Sequence, residues 1–262
     1  MPDAATLQRF DVLGIHVTAA SMASAIDQIC RWVDGDEHTY VCVSDANSII
    51  SATSDPALRQ IFNESGMTLP DGMPLVWSGH RAGLHEMTRV CGPDLMPAML
   101  AEAARHGWSS YFYGGAPGVA EQLVARLREQ IPELRVAGVA SPPYRALSDD
   151  ELRDDIDTIN RSGADIVWVG LGAPKQERWM ADNRHLLTAP VLIGVGAAFD
   201  MHAGRVQRAP QWMQRSGLEW VYRLCREPRR LWRRYARVVP RFLWGSLWHR
   251  PRALAVAGRV PV

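Results

Sequence analysis

A carboxylate beside a glycine, two glycine-rich turns and a run of arginines are the groups in this sequence whose types and spacing can do chemistry. Asp71 stands in Pro70-Asp71-Gly72, directly after an expected strand. A carboxylate in such a place can accept a proton. It can equally be a turn residue, because Asp-Gly is a common turn pair. YFYGGAPGVAEQLVARL (111–127) sets a strand before Gly114, Gly115 and Gly118 and a helix after them. Backbone N–H groups at such a helix start are available to phosphate. DIVWVGLGAPKQERWM (165–180) repeats the arrangement with Gly170 and Gly172, and Pro174 is expected to open the helix at its first position. Glycines at strand-to-helix turns also serve tight bends alone. Lys175, Gln176 and Glu177 fall in the first turn of that helix, where they either face a ligand crevice or are solvated, with Glu177 offsetting the helix dipole.

Further polar groups cluster at segment ends. Ser44, Asp45 and Asn47, in YVCVSDANSII (40–50), close a strand and open a helix, as substrate ligands or as helix caps. The last strand, VLIGVGAAFD, leads through Asp200 and Gly204 to Arg208, which is expected to contact substrate or to make a structural ion pair. Two Asp-x-Asp triplets invite a metal reading. Asp34-Gly35-Asp36 reads as a turn, and Asp155-Ile156-Asp157 lies in a helix, where residues two apart do not share a face. Neither is expected to bind a metal ion, and no cofactor is expected.

The net charge is +1, but residues 205–262 carry 14 arginines, no lysine and two acids, Glu219 and Glu227. That segment is therefore +12 and residues 1–204 are −11, an acidic body with a basic appendage whose partner should be anionic. Tryptophans and leucines interleave with these arginines (Trp220, Trp232, Leu243, Trp244, Leu247, Trp248), the pattern of an interfacial membrane anchor. Packing of the tail on the body is the plainer alternative.

These groups need a scaffold, and from about residue 10 to 200 short β-branched or aromatic runs alternate with amphipathic stretches. That pattern predicts an α/β fold: a mainly parallel, Rossmann-like sheet with flanking helices, in two lobes, plus the basic helical appendage. Expected strands are FDVLGIHV, YVCVSD, SYFYGG, RVAGVAS, DIVWVGLG and VLIGVGAAFD, with helices near 20–33, 92–106, 117–130, 148–162 and 174–184. Ser148 and Glu151 have capping-box spacing. The catalytic core is placed at 1–204, with a lobe boundary near 84–91, and the appendage at 205–262. Cys30, Cys42, Cys91 and Cys225 are widely spaced, without a zinc or disulfide pattern, which suits a reducing cytoplasm. No signal peptide or run of about 18 apolar residues is seen.

LPDGMPLVW (69–77), RVCGPDLM (89–96), YFYGG (111–115), GLGAPKQERWM (170–180), GVGAAFDMHAGRVQRAPQWM (194–213) and GLEWVYRLCREPRRLWRRY (217–235) together resemble the WecG/TagA/CpsF glycosyltransferase family over nearly the whole chain. The resemblance implies an inverting, metal-independent transferase that moves a sugar from a UDP-sugar to an undecaprenyl-diphosphate-linked saccharide in bacterial surface polysaccharide assembly. It implies Asp71 as the catalytic base and Arg89 in activity, and Arg223, Arg230 and Arg233 fall on family arginine positions; at helical spacings of seven and three they can share one face and clamp the diphosphate of donor or acceptor. It also implies work at the inner face of the cell membrane, with the appendage on the lipid surface. The Ser44–Asn47 segment departs from the Thr, Asn or His that the family often has there.

Other classes fit less well. A dinucleotide oxidoreductase should open its first βαβ unit with G-x-G-x-x-G and an acid about 20 residues on; VLGIHVTAAS has neither. A nucleic-acid partner is not expected, because the acidic body would repel phosphate and no aromatic platform is visible. A peripheral membrane or nucleotide-binding protein of the same fold without activity is the remaining alternative. The transferred sugar and the oligomeric state, a homo-oligomer included, are not encoded in these motifs.

Overall fold

The computed structural model describes residues 7–254. The chain opens with β1 (Arg9–Val12), β2 (Ile15–Thr18), α1 (Met22–Asp34), β3 (Thr39–Ser44), α2 (Ala46–Thr53), α3 (Pro56–Glu64), β4 (Met67–Pro70) and α4 (Met73–Arg81). It continues through α5 (Gly92–His106), β5 (Ser109–Gly114), α6 (Val119–Gln130), β6 (Arg135–Ala140), α7 (Asp149–Arg161), β7 (Ile166–Gly170), α8 (Lys175–Asn183), β8 (Val191–Gly194) and α9 (Ala198–His202). It ends with α10 (Gln211–Arg215), α11 (Glu219–Arg226), α12 (Pro228–Trp248) and β9 (Arg252–Ala253). The fold is α/β, as the alternating pattern predicts. Within the described residues the chain forms two units, one drawn from 7–25, 44–90 and 209–254, the other from Ile26–Val43 and Cys91–Arg208.

The second unit is a parallel sheet in the order β3-β8-β7-β5-β6. Val41, Ile166, Val167, Trp168, Val169, Leu192 and Ile193 are fully buried, as strands covered by helices on both faces require. The order reverses at β5/β7: from β5 the chain steps outward to β6, then returns past β5 to β7 and β8. Such a reversal leaves a crevice at the carboxyl ends of the two strands. Those ends are glycines. Gly114 pairs with Gly170 in register, and the Gly115 N–H donates to the Gly170 carbonyl at 3.0 Å. A Cβ on Gly114 would stand 2.5 Å from the Gly170 backbone, and one on Gly170 would stand 2.7 Å from the Phe199 ring.

The first unit corrects one sequence expectation. FDVLGIHV is not a single strand but the hairpin β1–β2, turned at Leu13 (φ 57) and Gly14 (φ 86). Two consecutive positive φ values match the twist of a two-residue hairpin loop. The uninterrupted apolar run hid the turn because Leu replaces the usual Asn or Asp at the first loop position. β9 returns from the tail to pair antiparallel with β1. α12 buries Leu231, Val238 and Phe242, spaced to lie on one face, and each such residue contributes about 1.5–3 kcal/mol. Its opposite face leaves Leu243, Trp244, Leu247 and Trp248 exposed.

Gly170→Ala should lower stability by roughly 1–3 kcal/mol through the collision with Phe199, read as a lower urea midpoint at unchanged m. An unchanged midpoint would show that the ring can withdraw without cost.

Candidate active site

β4 ends at Pro70 because Asp71 turns the chain toward α4. The Asp71 N–H donates to the Ser44 carbonyl at 3.0 Å, and the Val90 N–H donates to the Pro70 carbonyl at 2.9 Å, so this corner is held by main chain on both sides. Arg89 then reaches back over it. Its Nε donates to the Asp71 carbonyl, its Nη2 lies 3.6 Å from the Asp71 carboxylate, and the same Nη2 donates to Glu219 Oε2 at 2.6 Å. Glu219 is the first residue of α11, in the basic tail.

Two more tail residues complete the arrangement. Arg234, on α12, donates to Asp45 Oδ2 at 3.0 Å, while Asp45 caps α2 by accepting from the Ser48 N–H at 2.9 Å. Arg223, on α11, bears on Asp71 as a nearby positive charge. Ser44, fully buried, has a hydroxyl with no hydrogen-bond partner among the described residues. Asn47 lies partly exposed in the first turn of α2.

Asp71 keeps a third of its side-chain surface accessible, yet protein crowds it on every other side. Burial is the largest influence and pushes its carboxyl up from 3.8 to about 6. Arg89 pulls it down, Asp45 and Glu219 push it further up, and Arg223 pulls it down. Burial together with like charge outweighs the guanidinium groups. The result is a carboxylate that is ionised at neutral pH but far more basic than a surface aspartate, which is what a general base needs. Burial also raises the neighbouring Tyr235 phenol.

Gly114, Gly115, Gly172, Lys175, Gln176, Glu177 and Arg208 belong to the second unit. Gly114 and Gly115 are packed against Gly170, Val119 and Phe199, whereas Gly172, at φ 78, has open space beside it. α8 begins at Lys175, after a cis Ala173–Pro174 peptide, so Pro174 precedes the helix rather than opening it. Gln176 and Glu177 are buried rather than solvated. The Gln176 side chain accepts from the Gly172 N–H at 3.2 Å and donates to Glu177 Oε1 at 3.1 Å, which locks the turn. Lys175 is exposed, with Nζ 5.6 Å from the Tyr144 ring centre. Arg208 grips the Asp94 carboxylate with both Nη atoms and donates to Cys91 Sγ, pinning the end of the second unit to the start of α5.

Arg223, Arg230 and Arg233 do not share one helix face. Pro228 has no N–H to continue a helix and starts α12 as a separate element, so Arg223 sits on α11. Arg230 pairs with Glu227 at 2.8 Å on the surface, and Arg233 lies 5.5 Å from the Trp232 ring centre. Glu219, Asp45 as an ion-pair partner, and Arg234 were not singled out from the sequence. Glu219 could have been, as one of two acids in the tail and inside GLEWVYR.

The glycosyl transferase WecG/TagA/CpsF family profile matches residues 10–255. The chain belongs to this family. It is 29% identical over 218 residues to the N-acetylglucosaminyldiphosphoundecaprenol N-acetyl-beta-D-mannosaminyltransferase of Bacillus spizizenii strain W23, covering 83% of this chain and 82% of that protein. It is 28% identical over 232 residues to the protein of the same description from Bacillus subtilis strain 168, covering 87% of each. The WecG/TagA/CpsF member described here is thus a glycosyltransferase, and the Asp71 cluster is its candidate active site.

Asp71→Asn should cut turnover by about 10²–10⁴-fold, because the amide cannot accept the proton. The folded protein holds the Asp71 proton between about pH 4 and 6, where the unfolded chain has released it, so this group's contribution to stability falls as pH rises through that window. Asp71→Asn should therefore be more stable than wild type above pH 6, a difference that thermal melts at pH 5 and 8 would reveal. Wild-type kcat/KM should rise with pH through an apparent pKa near 6. Glu219→Gln removes a charge that raises that value, so its acid limb should move to lower pH. An acid limb left in place would show that Glu219 does not act on the base.

Proposed function

We propose that this transferase moves a sugar from a UDP-sugar to an undecaprenyl-diphosphate-linked saccharide, with inversion and without a metal ion, at the inner membrane face during surface polysaccharide assembly. The observation that carries the reading is the Asp71 carboxylate, raised to about 6 and flanked by guanidinium groups. Its acceptor side is supported by the two Bacillus relatives, whose names specify an N-acetylglucosaminyl-diphosphoundecaprenol acceptor and an N-acetylmannosaminyl donor group.

In the proposed step, Asp71 takes the proton of the acceptor hydroxyl while that oxygen attacks the anomeric carbon. The bond from the anomeric carbon to the diphosphate breaks, and its electron pair leaves on UDP. A negative charge grows on the leaving diphosphate and needs fixed positive groups. Arginine supplies these in the first unit, and Arg223 is half-buried there. For the donor nucleotide, the reading rests on the strand reversal at β5/β7 and the open Gly172 turn.

Membrane association is supported by the exposed Leu243, Trp244, Leu247 and Trp248 among arginines. Among the described residues no helix is long and apolar enough to cross a membrane.

A screen of UDP-sugars against a short-chain lipid-diphosphate-N-acetylglucosamine, with product mass and anomeric configuration determined, tests the reading. A single added sugar with inverted configuration, formed equally in EDTA, is the expected result. Retention of configuration, or loss of activity in EDTA restored by a divalent ion, would contradict the proposed mechanism.

A further inference from the structure

The first unit contains a cavity of about 510 Å³ that the proposed chemistry does not use. One wall is Ile50 and Thr53 of α2 and another is Pro240, Arg241 and Trp244 of α12. Leu13, at the β1–β2 turn, also lines it. Gly245 lets that turn approach α12, since a Cβ there would stand 2.9 Å from the Leu13 side chain. The accessible lining is overwhelmingly carbon, with one guanidinium on its wall.

The same two helices carry the active site. Asp45 caps α2 and is bound by Arg234 of α12, next to the corner that holds Asp71. Going from that contact toward the cavity, α2 advances from Asp45 to Thr53 and α12 from Arg234 to Trp244. The latter is ten residues, or about 15 Å of helix. Arg237 and Arg241 lie along this stretch and are exposed. A track therefore starts at a base, passes cationic side chains and ends in an apolar slot.

We propose that the cavity binds the isoprenoid chain of the lipid-diphosphate acceptor, with Arg237 and Arg241 along the path of its diphosphate. This rests on the acceptor class proposed above and assigns the place of its lipid portion. The order of groups matches: a sugar hydroxyl at Asp71, an anion beside arginines, then hydrocarbon. The volume holds roughly 17 non-hydrogen atoms at the packing of a liquid, about three isoprene units, so only the chain segment nearest the diphosphate enters.

The test compares two acceptors in detergent solution, one with a chain of several isoprene units and one whose diphosphate bears only a methyl group. Trp244 is 67% exposed, so Trp244→Ser should fold, and Trp212→Ser, 63% exposed and outside the cavity, is the control. Trp244→Ser should raise KM for the isoprenoid acceptor about tenfold, the equivalent of roughly two lost buried methylenes, and leave KM for the methyl acceptor unchanged. Trp212→Ser should change neither. Ile50→Thr, with melting checked, should repeat the Trp244→Ser pattern from the opposite wall. Equal KM changes for both acceptors, or none for either, would overturn the assignment while leaving the transferase reading intact. Failure of the wild-type protein to use either acceptor would instead overturn the acceptor class and this inference with it.

Discussion

One guanidinium organises the active site. Arg89 is shared between the Asp71 main-chain carbonyl, the Asp71 carboxylate and Glu219, so the corner after β4 and the start of α11 cannot move independently without leaving a partly buried charge unpaired. Breaking such a charge pair costs more than forming it gains, because the group left behind stays desolvated. Asp45, Asp71 and Glu219 face Arg89, Arg223 and Arg234, three negative groups against three positive. With charge so nearly balanced, desolvation decides the basicity of Asp71.

This arrangement gives the basic tail two roles along its length. Its first part supplies Glu219, Arg223 and Arg234 to the cluster around Asp71. Its last part buries Phe242 on one face and exposes Leu243, Trp244, Leu247 and Trp248 on the other. Pro228 separates α11 from α12, so Arg223 and Arg230, seven residues apart in sequence, are not on one helix. The tail also returns through β9 to β1, which ties its end to the hairpin beside the apolar cavity.

Much of the fold was legible because its signals are local. α5 occupies 92–106 as its periodicity predicts, and the Ser148–Glu151 capping box forms as spaced. The hairpin at Leu13-Gly14 was not legible, since no polar turn residue marks it. At the site, Asp71 and Arg89 stand out through motif spacing, but Glu219 lies 130 residues from Arg89 and its role is set by folding alone. Gln176 shows the converse: a polar residue at a promising turn whose amide oxygen bonds the turn itself. Local sequence cannot distinguish a side chain that serves a ligand from one that serves the backbone next to it.

The account depends on Asp71 being a crowded, poised base, and a carbon-13 NMR titration of its side-chain carboxyl measures this most directly. With the resonance assigned by its absence from the asparagine variant, an apparent pKa near 6 is expected. A value near 3.8, that of an open aspartate, would show that water reaches the carboxylate freely and that the cluster does not tune it.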